Sequence, residues 1–156
     1  MLTLATIGYE AASVPRFLGA LGDAGIQLLV DVRAVASSRR PGFAKSRLAA
    51  NLEGAGIEYL HLRRLGTPAD GRAAARAGRH DEMREIFLEH MATPEAQDEL
   101  ETLEGLVRGG RRVCILCFEA DPAHCHRSLV AAALAARIPL RVQNLAPWPE
   151  GQDDEE

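Results

Sequence analysis

The segment that decides the fold is VCILCFEADPAHCHRSLVAAALAAR, at residues 113–137. Its apolar start, residues 113–116, is typical of a buried strand, and the Ala- and Leu-rich residues 128–137 are typical of a helix. The connection, residues 117–127, carries cysteine, carboxylate, histidine and arginine side chains that can attack, transfer protons, ligate metal or bind anions. Because ligands of open α/β sheets bind at the carboxyl ends of the strands, this turn predicts an active or binding site.

Strand and helix patterns alternate along the rest of the chain. Apolar runs at residues 2–7, 26–32, 57–62 and 140–144 predict four more strands, with helical patterns between them. Strands joined through helices pair in parallel with right-handed crossovers. We therefore predict a single three-layer α/β domain with a mostly parallel sheet of about five strands. The Gly-, Ala- and Arg-rich residues 67–78 are predicted to form a loop.

Length and composition fit one globular domain, with 156 residues, 47% hydrophobic and 26% charged. We place this domain at residues 1–146 and predict a disordered acidic tail at residues 147–156. The amino terminus lacks the basic region of a signal peptide, and no apolar run approaches the roughly 18 residues of a membrane span. These features predict a cytoplasmic protein with no membrane partner, and they leave the oligomeric state open.

The net charge of −4 conceals an uneven distribution. Five of the 22 acidic residues lie in the tail, so 17 remain in the domain against 18 Lys plus Arg. Residues 33–47 contain five basic and no acidic residues, and residues 63–79 contain five arginines and one aspartate. Such clusters predict phosphate binding, with a solvated surface as the alternative.

The three cysteines are expected to be thiols or ligands. An odd number without a secretory signal argues against a disulfide framework. Cys114 lies inside the predicted strand and is expected to be a core residue.

Several segments together resemble the DUF488 family of uncharacterised bacterial and archaeal proteins. They occur in the family's order and cover nearly the whole chain: Thr6-Ile7-Gly8-Tyr9, Asp31-Val32-Arg33, Ser38-Arg39, Pro41-Gly42-Phe43, Tyr59, Leu65-Gly66, Cys117 with Glu119, and Cys125-His126-Arg127. Ala36 and Phe118 depart from the family pattern, where proline and a small residue are common. The resemblance implies an α/β fold in which these motifs cluster, and it supplies no reaction.

Asp31, Cys117 and Glu119 are the catalytic candidates. Asp31 ends a predicted strand two residues before Arg33, so it can serve as a general base or form a structural pair with that arginine. Cys117 follows a strand directly, as nucleophilic cysteines do in rhodanese-like and phosphatase folds. However, Ala123 stands where a Cys-x5-Arg phosphate loop needs arginine, and a buried inert thiol is an equal alternative. Glu119 can be an acid, a base or a structural cap.

A second set of residues is predicted to bind the substrate. Arg127 and His126 begin a helix, where free N–H groups favour an anion, although Arg127 can instead pair with a carboxylate and lock the turn. Phe43 and Tyr59 can stack on a base or belong to the core. The full predicted binding set is Gly8, Tyr9, Arg33, Ser38, Arg39, Phe43, Tyr59, Cys125, His126 and Arg127.

A metal site is the weakest of these uses. Cys117, His124, Cys125 and His126 are suitable ligand types for zinc or iron. Their spacing fits no standard knuckle, and the three consecutive residues cannot all converge on one ion from a helix. We therefore predict no metal ligands and assign no cofactor.

These patterns favour an enzyme, a hydrolase or transferase, acting on a phosphate-bearing substrate. The expected partner is an anionic small molecule, such as a nucleotide, or a nucleic acid. One alternative is a non-catalytic module that binds nucleic acid or a nucleotide. A further alternative is a thiol- or metal-dependent redox protein.

Overall fold

The computed structural model describes residues 2–149 and contains one five-stranded sheet. The strands are β1 (Leu2–Gly8), β2 (Leu28–Asp31), β3 (Glu58–His61), β4 (Val113–Cys117) and β5 (Leu140–Leu145). Every pairing is parallel, and the spatial order is β3-β2-β4-β1-β5. The predicted parallel α/β sheet is confirmed.

Helices cover both faces of the sheet and complete the three layers. They are α1 (Val14–Asp23), α2 (Lys45–Gly54), α3 (Ala69–Arg76), α4 (His80–Met91), α5 (Pro94–Arg108) and α6 (His126–Ala135). Buried side chains of α1 and α2 share one core cluster with one face of the sheet. Buried side chains of α3, α4, α5 and α6 share a second cluster with the other face.

Local signals explain where two of these helices begin. Ser13 caps α1 by accepting a hydrogen bond from the backbone N–H of Arg16, and a proline lies in the first turn. Thr93 caps α5 in the same way through the N–H of Ala96, with Pro94 opening the helix. Helix α1 then buries Phe17 and Leu21 against the sheet.

Strand β4 is the centre of the sheet and is buried along its whole length. It lies between β1 and β2, and its last residue, Cys117, pairs with Gly8 at the end of β1. On its other side, Leu116 pairs with Asp31 at the end of β2. The chain segments that follow three neighbouring strands therefore meet at one edge of the sheet.

The connections from β1 and β4 leave the sheet in opposite directions. Strand β1 leads through α1 to β2, and β4 leads through α6 to β5 on the other side. Neighbouring strands whose connections diverge leave a crevice at their carboxyl ends, where α/β proteins bind ligands. The topology thus positions a crevice beside Gly8 and Cys117.

The prediction of a loop at residues 67–78 is wrong, because residues 69–76 form helix α3. Alanines at three consecutive positions favour the helix, although glycine is a poor helix former. Gly71 has a packing reason, since a side chain there would crowd Thr67 and Ile86. Tertiary packing therefore supports a helix that a reading of local composition misses.

The structure describes residues 147–149, which were predicted to belong to the tail. The indole N–H of Trp148 donates to Asp23 at 2.9 Å, and its backbone N–H donates to the carbonyl of Arg16 at 3.0 Å. Trp148 therefore packs on α1 and belongs to the domain. The remaining predicted tail, residues 150–156, lies outside the described residues. None of the helices in residues 2–149 combines the length and apolar character needed to cross a lipid bilayer.

Candidate functional site

A cleft of about 470 Å³ lies at the carboxyl edge of the sheet. Its floor comes from the segments after β1 and β4, and its walls come from the segment after β2 and from α3 and α4. The lining residues are Tyr9, Arg33, Ala34, Val35, Ser37, Ser38, Thr67, Arg72, Ala75, Arg76, Met83, Cys117, Phe118, Glu119, His124 and His126. This volume suits a ligand the size of a nucleotide.

Six predicted site residues meet in this cleft, and seven lie elsewhere. Lining it are Tyr9, Arg33, Ser38, Cys117, Glu119 and His126. Away from its surface lie Gly8, Asp31, Arg39, Phe43, Tyr59, Cys125 and Arg127. Arg39 is exposed on the loop after β2, whereas most of the others are buried beneath the cleft and hold its lining in place.

Asp31 is fully buried and accepts hydrogen bonds from two neighbouring side chains. Arg33 donates to both carboxylate oxygens, from Nε at 2.8 Å and from Nη2 at 2.6 Å. The Tyr59 hydroxyl donates to Oδ2 at 2.6 Å. Burial, followed by this bond to Asp31, raises the pKa of Tyr59 well above its ordinary value. The predicted structural pair of Asp31 and Arg33 is therefore present, and Asp31 has no path to a ligand in the cleft.

Arg33 joins this ion pair to the cleft. Its Nη1 donates to the Tyr9 hydroxyl at 3.1 Å and to the carbonyl of Phe43 at 2.8 Å. The guanidinium carbon also lies 5.3 Å from the centre of the Tyr9 ring. Although burial opposes the charge, its bonds and attraction to Asp31 leave the pKa of Arg33 above its ordinary range. Arg33 is thus a fixed cation that orients Tyr9, with little freedom to follow a ligand.

Phe118 is an exposed aromatic residue of the cleft, which the buried ring of Tyr9 also lines. Phe43 is fully buried and stacks on Tyr9 with ring centres 4.6 Å apart, so it does not meet the expectation of stacking on a ligand. Tyr59 is directed to Asp31. Phe118 is 45% exposed at the cleft and contacts the edge of the Tyr9 ring. Phe118 could have been noticed in the sequence because it departs from the family pattern. From the sequence alone, that departure was not connected with binding.

A glycine is required at position 8 because another segment of the chain packs closely against it. A side chain at this position would overlap the carbonyl of Glu119 and lie 2.8 Å from Nη1 of Arg127. The backbone of the turn after β4 therefore approaches the end of β1 closely. The absence of a side chain at Gly8 allows that turn to pack over the end of β1.

Arg127 is fully buried and binds this turn from inside. Its guanidinium donates to the carbonyls of Glu119 and Ala120, and Nε donates to Thr6 Oγ1 at 3.2 Å. Nη1 also lies 3.5 Å from Sγ of Cys117. These contacts agree with the alternative in which Arg127 locks the turn, although carbonyl groups replace the expected carboxylate.

Cys117 and Cys125 form a disulfide in the structure, which corrects the expectation of separate thiols or ligands. They are eight residues apart, and the short turn at Pro122–His124 returns the chain over the end of β4. This return, which depends on tertiary packing, places the second sulfur against the first. Cys114 is free and buried, as predicted. Because Cys117 is paired and only 1% exposed, this state has no thiolate nucleophile.

His126 is buried beside the disulfide and lines the cleft. Its Nε2 lies 2.7 Å from the carbonyl of Val32, so Nε2 carries the proton and donates to that oxygen. Burial lowers the pKa of His126 to about 4. The neutral ring therefore has its unprotonated nitrogen, Nδ1, on the side of Cys125, 3.9 Å from Sγ.

Glu119 is the carboxyl group on the cleft floor. Burial is the main cause that raises its pKa above the ordinary range, and the charge of Glu10 adds to the effect. Its Oε2 lies 3.9 Å from Sγ of Cys117. A carboxyl group with a raised pKa, placed at a crevice, is suited to acid–base chemistry.

Arg72 and Arg76 form a basic wall that the predicted site residues did not include. They stand one turn apart on α3, and both line the cleft. Arg72 donates from Nη1 to the carbonyl of Thr67 at 2.9 Å. Among residues 2–149, no hydrogen bond or ion pair engages the guanidinium group of Arg76. The sequence does show an arginine cluster at residues 63–79. Because this segment was predicted to be a loop, the prediction could not identify which arginines share one face of a helix.

Comparison with known proteins places the chain in a family. A family model described as "Domain of unknown function DUF488" matches residues 13–134, well over half of the chain. The chain belongs to the DUF488 family. The matched part of this DUF488 protein contains most of the cleft lining, whereas Gly8 and Tyr9 precede it. No curated protein matches the chain.

Proposed function

We propose that this DUF488 protein is an enzyme acting on a phosphate-bearing small molecule of nucleotide size. The observation that carries the proposal is the composition of one cleft. A wall with two arginines faces a floor that holds a carboxyl group suited to proton transfer. Their position at the point where the strand connections diverge adds support, because α/β proteins bind ligands there.

The phosphate lies against α3 in this proposal. Arg72 and Arg76 supply guanidinium groups, which match phosphate oxygens in pairs of hydrogen bonds. Ser37 and Ser38 line the same cleft from the loop after β2 and supply hydroxyl groups. Arg33 adds positive charge and keeps its place in the ion pair with Asp31.

The organic part of the ligand lies against the apolar side of the cleft. Phe118 and Val35 are 45% and 54% exposed, and both line the cleft. Half-exposed apolar side chains at a cleft provide surface for a planar ring. A volume of about 470 Å³ accommodates a single nucleotide unit. We therefore favour a nucleotide over a long nucleic acid as the ligand.

Glu119 is the acid–base residue of the proposed reaction, which is hydrolysis or group transfer at the bound substrate. Asp31 and Arg127 are positioning residues in this scheme, since Asp31 holds Arg33 and Arg127 holds the turn that carries Glu119. The proposal does not use Cys117 as a nucleophile, because the disulfide occupies its sulfur.

The experiment is a product assay by phosphorus NMR with nucleoside monophosphates, nucleoside diphosphates and a short single-stranded oligonucleotide. We expect turnover of at least one nucleotide by the wild-type protein. Glu119→Gln should lower the rate by about 100-fold or more while binding persists, because general acid–base catalysis contributes factors of that order. Glu53→Gln, an exposed change on α2, is the control and should leave the rate unchanged.

The alternative is a non-catalytic module that binds the same ligands. It is supported by the exposed arginine wall, which requires no reaction. Nucleotide binding by the wild-type protein without any product would select this alternative and reject the enzyme.

A further inference from the structure

We propose that the reduced chain binds one divalent transition-metal ion of the zinc type through Sγ of Cys117, Sγ of Cys125 and Nδ1 of His126. This inference goes beyond the proposed function and does not depend on it. It departs from the sequence-based prediction of no metal ligands.

The three ligand atoms already converge. One from each residue lies within 4.8 Å of the other two. Tetrahedral zinc has Zn–S distances of about 2.3 Å and Zn–N distances of about 2.0 Å, so its ligand atoms stand roughly 3.3–3.8 Å apart. Once the S–S bond is reduced, the two sulfurs must move apart from bonding distance, and side-chain rotation then places the three atoms around one ion. His124 is exposed and stacks on His80, so the objection to three consecutive ligands does not apply.

His126 has the arrangement that metal-binding histidines usually show. Its Nε2–H donates to the carbonyl of Val32, which fixes the tautomer and leaves the lone pair on Nδ1. Metal-bound histidines commonly donate their second ring nitrogen to a backbone carbonyl or carboxylate. The ring is held before any ion arrives, with its free nitrogen directed toward the sulfur of Cys125.

The charges around the sulfurs also favour thiolates. Arg127 is a fully buried cation, and within residues 2–149 no carboxylate lies within salt-bridge distance of it. Its Nη1 is 3.5 Å from Sγ of Cys117, so a thiolate there would be its nearest anionic partner. Two thiolates and a divalent ion cancel in charge, which leaves the arginine bound to carbonyl groups as it is now.

The disulfide and the metal site are alternative states of the same sulfurs. The Cα atoms of Cys117 and Cys125 are 7.2 Å apart, outside the usual disulfide range of about 4.4–6.8 Å. A dithiol reductant breaks the S–S bond by supplying two electrons and two protons, and is itself oxidised to its disulfide. The two thiols then lose two protons to solvent as the ion binds two thiolates and the neutral imidazole.

The fourth coordination position would face the cleft. Cys117 and His126 both line the cleft, and Oε2 of Glu119 lies 3.9 Å from Sγ of Cys117. Two cysteines and one histidine with an open position form a ligand set found in catalytic zinc enzymes. A water molecule or a ligand oxygen would complete the coordination beside Glu119.

The test is a titration of the phosphine-reduced full chain with Co²⁺ in the absence of oxygen. We expect saturation at one ion per chain, with thiolate-to-cobalt charge-transfer absorption and the visible bands of tetrahedral cobalt. Added Zn²⁺ should remove both signals. Absence of these bands, or octahedral cobalt without a thiolate signal, would overturn the proposal.

Cysteine variants identify the ligands. Cys125→Ser should abolish the tetrahedral spectrum, whereas Cys114→Ala removes a buried cysteine outside the site and should retain it. If Cys125→Ser fails to fold by circular dichroism, alkylation of the wild type supplies the second measurement. Zn²⁺ should then protect Cys117 and Cys125 from alkylation in mass spectra. Equal alkylation with and without Zn²⁺ would contradict the site, as would an unchanged cobalt spectrum in folded Cys125→Ser.

The same samples separate this proposal from the proposed function. A chain that binds Co²⁺ but no nucleotide supports the metal site and rejects the phosphate-bearing ligand. A chain that binds nucleotide but gives no tetrahedral cobalt spectrum supports the phosphate-bearing ligand and rejects the metal site.

Discussion

At Asp31, one buried carboxylate connects β2, the loop after it and β3. It accepts hydrogen bonds from the guanidinium group of Arg33, just after the same strand, and from the hydroxyl of Tyr59 on the neighbouring strand. A charge without solvent is tolerated only when its partners are in place. The stability of this corner therefore depends on the complete set of partners.

Asp31→Asn should destabilise the protein by about 3–5 kcal/mol, because it leaves the buried guanidinium of Arg33 without its counter-charge. Urea denaturation measures the change in the free energy of unfolding. The control is Glu82→Gln, which breaks an exposed pair with Arg79 and should cost less than about 1 kcal/mol. Equal losses of unfolding free energy in the two variants would show that the buried pair contributes no more to stability than the exposed pair does.

Tyr59→Phe should cost about 1.5–3 kcal/mol at neutral pH, because it removes a hydrogen bond to a charged acceptor. The pH dependence follows from the raised pKa of Tyr59 in the folded state. Above the ordinary tyrosine pKa of about 10, the unfolded chain loses the phenol proton while the folded chain keeps it. The contribution of Tyr59 is therefore complete below that pH and declines as the pH rises above it.

Urea denaturation across this range measures the difference in unfolding free energy between wild type and Tyr59→Phe. The difference should shrink as the pH rises above about 10. A difference that stays constant or grows would refute the assignment of the raised pKa to this hydrogen bond.

At the scale of elements, the turn after β4 depends on close contact with the end of β1. Gly8 leaves space for the carbonyl of Glu119, and Arg127 binds the same carbonyl from the start of α6. Three elements thus fix the position of the cleft floor. Glu119 is placed by this packing, and a shift of the turn would move it.

Gly8→Ala should destabilise the protein by about 3 kcal/mol, the upper end of the usual cost of overpacking. Thermal and urea unfolding measure this loss. Gly105→Ala is the matched control, since Gly105 lies inside α5 with open space around the added carbon. That change should stabilise the protein by about 0.5–1 kcal/mol. A neutral Gly8→Ala would show that the turn is not held as tightly as the structure indicates.

At the scale of the whole molecule, the sequence predicts the sheet, its parallel pairing and the edge at which the cleft lies. Apolar runs and helical spacing suffice for this, because a parallel sheet covered on both faces leaves a strong local pattern. Side-chain partners are harder to predict, because they depend on contacts between distant segments. Arg127 bonds to Thr6 across 121 positions, and His126 bonds to Val32 across 94.

The same reason separates the predicted residues that line the cleft from the lining residues that the prediction missed. Cys117 and Glu119 follow a strand end and could be assigned to the cleft from position alone. Arg72 and Arg76 could not, because the helix that aligns them depends on the packing of Gly71. The pairing of Cys117 with Cys125 likewise depends on how the turn folds back.

We propose that the cleft binds a phosphate-bearing molecule through α3. Isothermal titration of wild-type protein with a nucleoside monophosphate, at low and moderate salt, tests it most directly. The double variant Arg72→Ala/Arg76→Ala is compared with Arg141→Ala, which removes an exposed arginine from β5 near the opposite end of the sheet. We predict one site whose affinity falls about tenfold or more in the double variant and stays unchanged in Arg141→Ala, since a hydrogen bond to a charged group contributes about 1.5–3 kcal/mol. Absence of binding to the wild type at low salt, or equal binding by both variants, would contradict the account.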